Sequence, residues 1–113
     1  MTQIGQERDF PPPSPGSVLK ARVVGRLGIS QAQLAKALGV SRFTVNQMLG
    51  GRRGVSPEMA LRLGHVLDTS PEMWLNLQAQ VDLYEARRAL GAELGKLTRL
   101  RGEQAGERIA AAE

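Results

Sequence analysis

The 113-residue chain contains no cysteine. Disulfides and thiol chemistry are excluded, and a reducing cytoplasm is the compartment expected for it. Aromatic residues make up only 4% of the sequence, and with β-branched residues also sparse there is little material for a sheet. No apolar run approaches the roughly 18–20 residues that span a bilayer, and the first thirty residues lack the apolar core of a signal peptide. No membrane partner is expected. A single histidine, His65, falls with Glu58 and Arg62 on one polar helix face, the setting of a solvated residue more than of a base. Without a Cys/His cluster there is no zinc motif, and the glycines sit at helix ends without forming a phosphate loop. No metal, cofactor or catalytic residue is expected, and the chain does not read as an enzyme.

What is present favours helices: Ala, Leu, Arg, Gln and Glu dominate, all good helix formers. Charge is unevenly spread. From Ser14 to Asp68 eight bases (Lys20, Arg22, Arg26, Lys36, Arg42, Arg52, Arg53 and Arg62) face two acids (Glu58 and Asp68), whereas the segments before and after each carry −1. A basic compact unit beside near-neutral tails is the footprint of polyanion binding, although a solvated basic surface gives the same count.

Along the chain, residues 1–13 end in three prolines that cannot donate to a helix or sheet ladder, so a flexible arm is predicted there. Ser14-Pro15-Gly16 opens a first helix to about Leu27, with Val18, Leu19, Val23 and Leu27 inward and Gly28 ending it. Ser30 and Gln33 make a capping box for a second helix carrying Leu34, Ala35 and Leu38. Gly39 supplies a left-handed turn, and Ser41 caps a third helix whose Val45, Met48 and Leu49 share one side. Helix, glycine-containing short turn and short second helix form the helix-turn-helix pattern. Ser56-Pro57-Glu58 and Ser70-Pro71-Glu72 start two further helices. The last carries two apolar stripes. Trp74, Leu77, Val81 and Tyr84 form one; Leu75, Ala79, Leu83, Ala86 and Leu90 form another, centred roughly 170° away at 3.6 residues per turn. Continuation of the second stripe to Leu94, Leu97 and Leu100 requires the helix to survive Gly91 and Gly95. One stripe suffices for a single core, so Leu75, Leu83 and Leu90 are candidates for a partner or dimer surface, unless both stripes are buried in one compact monomer. Residues 84–113 are predicted as a helical extension, frayed from Gly102 onward.

The third helix has an outward face of the types that read a major groove. Phe43 and Gln47 lie at its centre, Arg42 and Asn46 on one flank and Thr44 on the other. Arg pairs with guanine, Asn and Gln with adenine, and Phe can contact a thymine methyl. Gln31, in the first turn of the preceding helix, is placed to meet a phosphate, and Arg52 and Arg53 could clamp the backbone beyond the Gly50-Gly51 stop.

The stretch Ser30-Gln-Ala-Gln-Leu-Ala-Lys-Ala-Leu-Gly-Val-Ser-Arg-Phe-Thr-Val-Asn-Gln-Met-Leu-Gly-Gly51 resembles the phage-repressor-like (XRE) helix-turn-helix family. Pro15-Gly-Ser-Val-Leu19, Arg52-Arg53-Gly-Val-Ser56, Ala60-Leu-Arg-Leu63 and Thr69-Ser-Pro-Glu-Met-Trp-Leu-Asn-Leu-Gln78 extend the likeness to HigA-type antitoxins, over about residues 14–83. The resemblance implies an all-α, five-helix domain over 14–83 that dimerises, binds a palindromic operator in its own promoter and neutralises a HigB-type, mRNA-cleaving toxin. It assigns base reading to Arg42, Phe43, Asn46 and Gln47, and phosphate contacts to Gln31, Ser41 and Thr44. The histidine that often precedes Pro-Gly in that family is Ser14 here, and the chain runs some 25 residues past the common core. Two other readings stay open: a stand-alone XRE regulator without a toxin, and a helical adaptor that keeps the fold without using DNA.

Overall fold

The computed structural model describes residues 10–100. Of the predicted arm, residues 1–9 lie outside that range, as does the frayed end predicted over 102–113. The described residues form helices and no strand: α1 (Pro15–Leu19), continued by a π-helical segment (Lys20–Arg26), α2 (Gln31–Leu38), α3 (Arg42–Leu49), α4 (Pro57–Leu67) and α5 (Pro71–Leu94). None is long and apolar enough to cross a membrane.

Among the described residues, every α-helix starts on a serine. The hydroxyl oxygens of Ser14, Ser30, Ser41, Ser56 and Ser70 each accept a backbone N–H three residues on, at 3.0–3.2 Å. Each cap satisfies one of the donors that a helix start leaves orphaned, and is worth about 1 kcal/mol. Ser30 and Gln33 complete the predicted box, with the Ser30 N–H donating to Gln33 Oε1 at 2.8 Å. Between α2 and α3, Gly39 takes a left-handed φ of 74°. A side chain there would be strained, and the turn is what sets the two helices against each other.

The core takes in most of the predicted inward faces, together with Val55 from the loop before α4. Leu19, Leu34, Val45, Met48, Ala60 and Leu63 are essentially inaccessible, and Val23, Ala35, Leu38, Leu49, Val55 and Trp74 join them. Full burial of each large aliphatic contributes about 1.5–3 kcal/mol. Gly16 decides how closely α1 approaches α3: a β-carbon there would overlap the Met48 carbonyl. Polar ties lock the outer helices onto this centre. Arg62 Nη1 donates to the Leu38 carbonyl at 2.7 Å and Nη2 to Glu58 at 3.0 Å, joining α4 to the end of α2. The Val55 N–H donates to Gln78 Oε1 at 2.9 Å, and Trp74 Nε1 to Thr69 Oγ1 at 2.7 Å.

Four details bear on the sequence reading. The first helix widens to π geometry after Leu19, with the Leu27 N–H bonding back five residues to the Arg22 carbonyl at 3.2 Å. Leu27 is 65% exposed and not part of the core. It lies one turn past Val23, at the rim of a shallow groove shared with Val18, Met73 and Trp74, and no described residue closes over it. Arg62 is half-buried and tied down, not simply solvated. α5 survives Gly91 but ends at Gly95, so Leu97 and Leu100 fall beyond the helix.

Candidate nucleic-acid interface

The interface is built on α3. Its two sides are fixed by Val45, Met48 and Leu49, which the core holds. With these inward, the opposite face must project. Arg42, Phe43 and Asn46 are exposed and Gln47 is half-exposed. Phe43 is 64% exposed, an apolar ring left in water at the centre of a polar surface, where burial against a partner would be favourable.

At the start of α3 the Ser41 hydroxyl donates to Thr44 Oγ1 at 3.0 Å while accepting the Thr44 N–H at 3.0 Å. Ser41 therefore has its hydrogen engaged within the chain, and the Thr44 hydroxyl keeps its own for another acceptor. At the far end, the Arg52 and Arg53 N–H groups fold back onto the Gln47 carbonyl at 2.9 and 3.3 Å. This holds the two exposed arginines directly beyond the helix. α2 is connected to the same surface by a bond that pattern reading did not reveal: Asn46 Nδ2 donates to Gln31 Oε1 at 3.3 Å. The two amides are fifteen residues apart, and nothing local in the sequence signals the contact. It turns the Gln31 Nε2 into the free donor end of that side chain and ties up one of the two Asn46 amide hydrogens.

The predicted site residues thus divide. Arg42, Phe43, Asn46, Gln47, Gln31, Ser41, Thr44, Arg52 and Arg53 all belong to α3, the start of α2 or the turn after α3. Leu75, Leu83 and Leu90 belong to α5 and do not share that surface. Leu83 and Leu90 are each 45% exposed, whereas Leu75 is half-buried against the core. Among the described residues no group of acidic or histidine side chains could hold a metal ion.

A helix-turn-helix domain model matches residues 16–75. The chain is 40% identical over 76 residues to the antitoxin HigA-1 of Vibrio cholerae serotype O1, covering 67% of this chain and 71% of that protein. The antitoxin GraA in complex with its operator superposes with a TM-score of 0.76 at 47% identity, covering 82% of this chain and 95% of that one. The chain belongs to the HigA-type branch of the helix-turn-helix family. It is also 38% identical over 88 residues to YbaQ, an uncharacterized HTH-type transcriptional regulator of Escherichia coli K12, covering 76% and 78% of the two chains. The family match runs from α1 to the first turn of α5 and contains the whole of α2 and α3. The outer half of α5 lies outside it.

Proposed function

We propose that this protein is the antitoxin of a type II toxin–antitoxin pair, which represses its own operon by binding a palindromic operator as a dimer. It would also neutralise a HigB-type, mRNA-cleaving toxin. The observation that carries the reading is the outward face of α3: a polar, groove-reading set around an exposed Phe43 on a helix locked from behind, in a chain 47% identical to an antitoxin held on its operator. Arg42, Phe43 and Gln47 read bases; Asn46 reads with its free amide atoms while steadying Gln31. Gln31, Thr44, Arg52 and Arg53 contact phosphates, with Ser41 beside them as the cap of α3. Two copies would set their recognition helices about 34 Å apart, in successive major grooves. Residues 14–83 form the DNA-binding unit, and 84–113 the extension whose Leu83–Leu90 stripe, with Leu75 at its inner edge, serves a second copy or the toxin. The setting is the cytoplasm, and no catalytic step is involved.

The test is a titration of the protein's own promoter against an unrelated duplex. Gln47→Ala is expected to weaken operator binding by about 1–3 kcal/mol and leave the unrelated duplex largely unaffected. Equal loss on both would contradict base reading. The likeness to YbaQ favours a second reading, a stand-alone regulator without a toxin. Co-expression with the product of the adjacent gene separates the two: a small basic RNase that co-purifies and loses its RNA cleavage supports the antitoxin.

A further inference from the structure

Between the π-helical segment, the start of α2 and the end of α3 lies a cleft of about 160 Å³. Two cations, Lys20 and Arg52, and two amides, Gln31 and Asn46, line it, together with Val24 and Leu49. Neither cation has an ion-pair partner among the described residues, where Arg62–Glu58 is the salt bridge that forms. No acidic side chain lines the cleft. Because Asn46 already donates to the Gln31 oxygen, the Gln31 amide presents its Nε2 hydrogens to the remaining space. Two uncompensated positive charges and a directed amide donor, with no competing carboxylate, make a receptor for a single anion. Asn46 also flanks Arg42 and Gln47 on the outward face of α3, so an anion seated here lies at the edge of whatever groove that face enters. Backbone phosphates occupy that position in a duplex.

We infer that this cleft seats one phosphate of the operator backbone, and that Lys20, at the start of the π segment, is a phosphate-binding residue alongside Gln31 and Arg52. The inference rests on the DNA-binding reading above and adds to it a contact from the π-helical segment. The contact carries no sequence information; it fixes how the domain sits along the groove.

The experiment compares wild type, Lys20→Gln and Lys20→Arg on the operator and on an unrelated duplex over a range of salt concentrations, by fluorescence anisotropy. Lys20 is exposed, and thermal unfolding of each variant confirms that the fold is retained. Lys20→Gln is expected to flatten the log–log salt slope by about 0.9. Affinity for both duplexes then falls by a similar factor, about fivefold near 0.15 M salt relative to a 1 M reference. Lys20→Arg is expected to keep the wild-type slope. An unchanged slope in Lys20→Gln overturns the inference and leaves the DNA-binding reading standing. Wild-type protein that binds neither duplex overturns both.

Discussion

Among the described residues, the buried core from Leu19 to Leu63 comes from α1 to α4, the π segment and Val55, while α5, the longest helix, supplies only Trp74. The first region buries its continuous apolar faces and exposes only isolated large apolar side chains, Leu27, Phe43 and Leu61, on a mostly polar surface. The outer half of α5 does the reverse. It extends beyond the core, by the 1.5 Å rise per residue, for about 24 Å from Ala79, and leaves Leu83, Leu90 and Leu94 each 45–46% exposed on one side. The first half of α5 packs on the core through Met73, Trp74, Leu75 and Leu77, so it is the outer half that has a surface left over for something else. On the function proposed above, DNA reading falls to the region held by the core, and assembly to the region whose apolar side is unmatched.

Replacing the stripe breaks this comparison most severely. Leu83→Asp combined with Leu90→Asp is expected to leave a folded monomer in sedimentation. Operator binding then weakens by more than about 3 kcal/mol, because a lost half-site removes several base contacts at about 1–3 kcal/mol each. Unaltered mass together with unaltered toxin capture would remove the stripe from both roles. Next in size is a pair of truncations measured by urea unfolding, at protein concentrations low enough to keep the chain monomeric. Leu63→Ala empties a fully enclosed site and is expected to cost about 3 kcal/mol. Leu90→Ala, on the stripe, is expected to cost under about 0.5 kcal/mol. Similar losses would mean that α5 packs as tightly as the rest.

A third change tests how α1 supports the reading helix. Gly16→Ala puts a β-carbon onto the Met48 carbonyl and 3.2 Å from that of Leu49, with no flexible side chain to yield. Overpacking of this kind is expected to cost about 1–3 kcal/mol of stability. Because the crowded atoms are the end of α3, operator binding should fall by more than binding to an unrelated duplex at a temperature where both proteins are folded. Equal falls would make Gly16 a purely structural residue.

The contrast also explains what could be read before the fold was known. Serine caps and apolar spacing act over three or four residues, so all five helix starts, the inward set of α3 and its outward face followed from the sequence. Gly91 and Gly95 show the limit of that locality: the same residue type continues α5 at one position and ends it four residues later. Contacts between distant residues left no trace in the pattern. Arg62 reaches the Leu38 carbonyl twenty-four residues away and Asn46 reaches Gln31 across fifteen; each looks, by type and spacing, like any solvated side chain. Leu27 and Leu75 depart from their helical phase in opposite senses for one reason. Helical phase gives the direction of a side chain but not whether another element lies above it, so Leu27 has an inward phase and is bare, while Leu75 shares the phase of the exposed stripe and is half-covered.

The smallest expected effect separates holding α3 in place from touching DNA. Ser41 and Thr44 both sit where a phosphate contact is expected, yet the Ser41 hydroxyl is engaged on both counts, accepting the Thr44 N–H and donating to Thr44 Oγ1. Removing it with Ser41→Ala should cost about 1 kcal/mol of stability through the lost cap, and leave the salt slope of operator binding unaltered. Thr44→Val keeps the backbone cap and removes the hydroxyl whose hydrogen is free. It should cost less stability and weaken binding to both duplexes by about 1.5 kcal/mol, the low end for a hydrogen bond to a charged acceptor. If Ser41→Ala weakens DNA binding in excess of its stability loss while Thr44→Val does not, the two hydroxyls have exchanged roles. The Ser41 hydrogen would then have to turn outward on the complex, and the start of α3 would be adjustable where the rest of the reading helix is fixed.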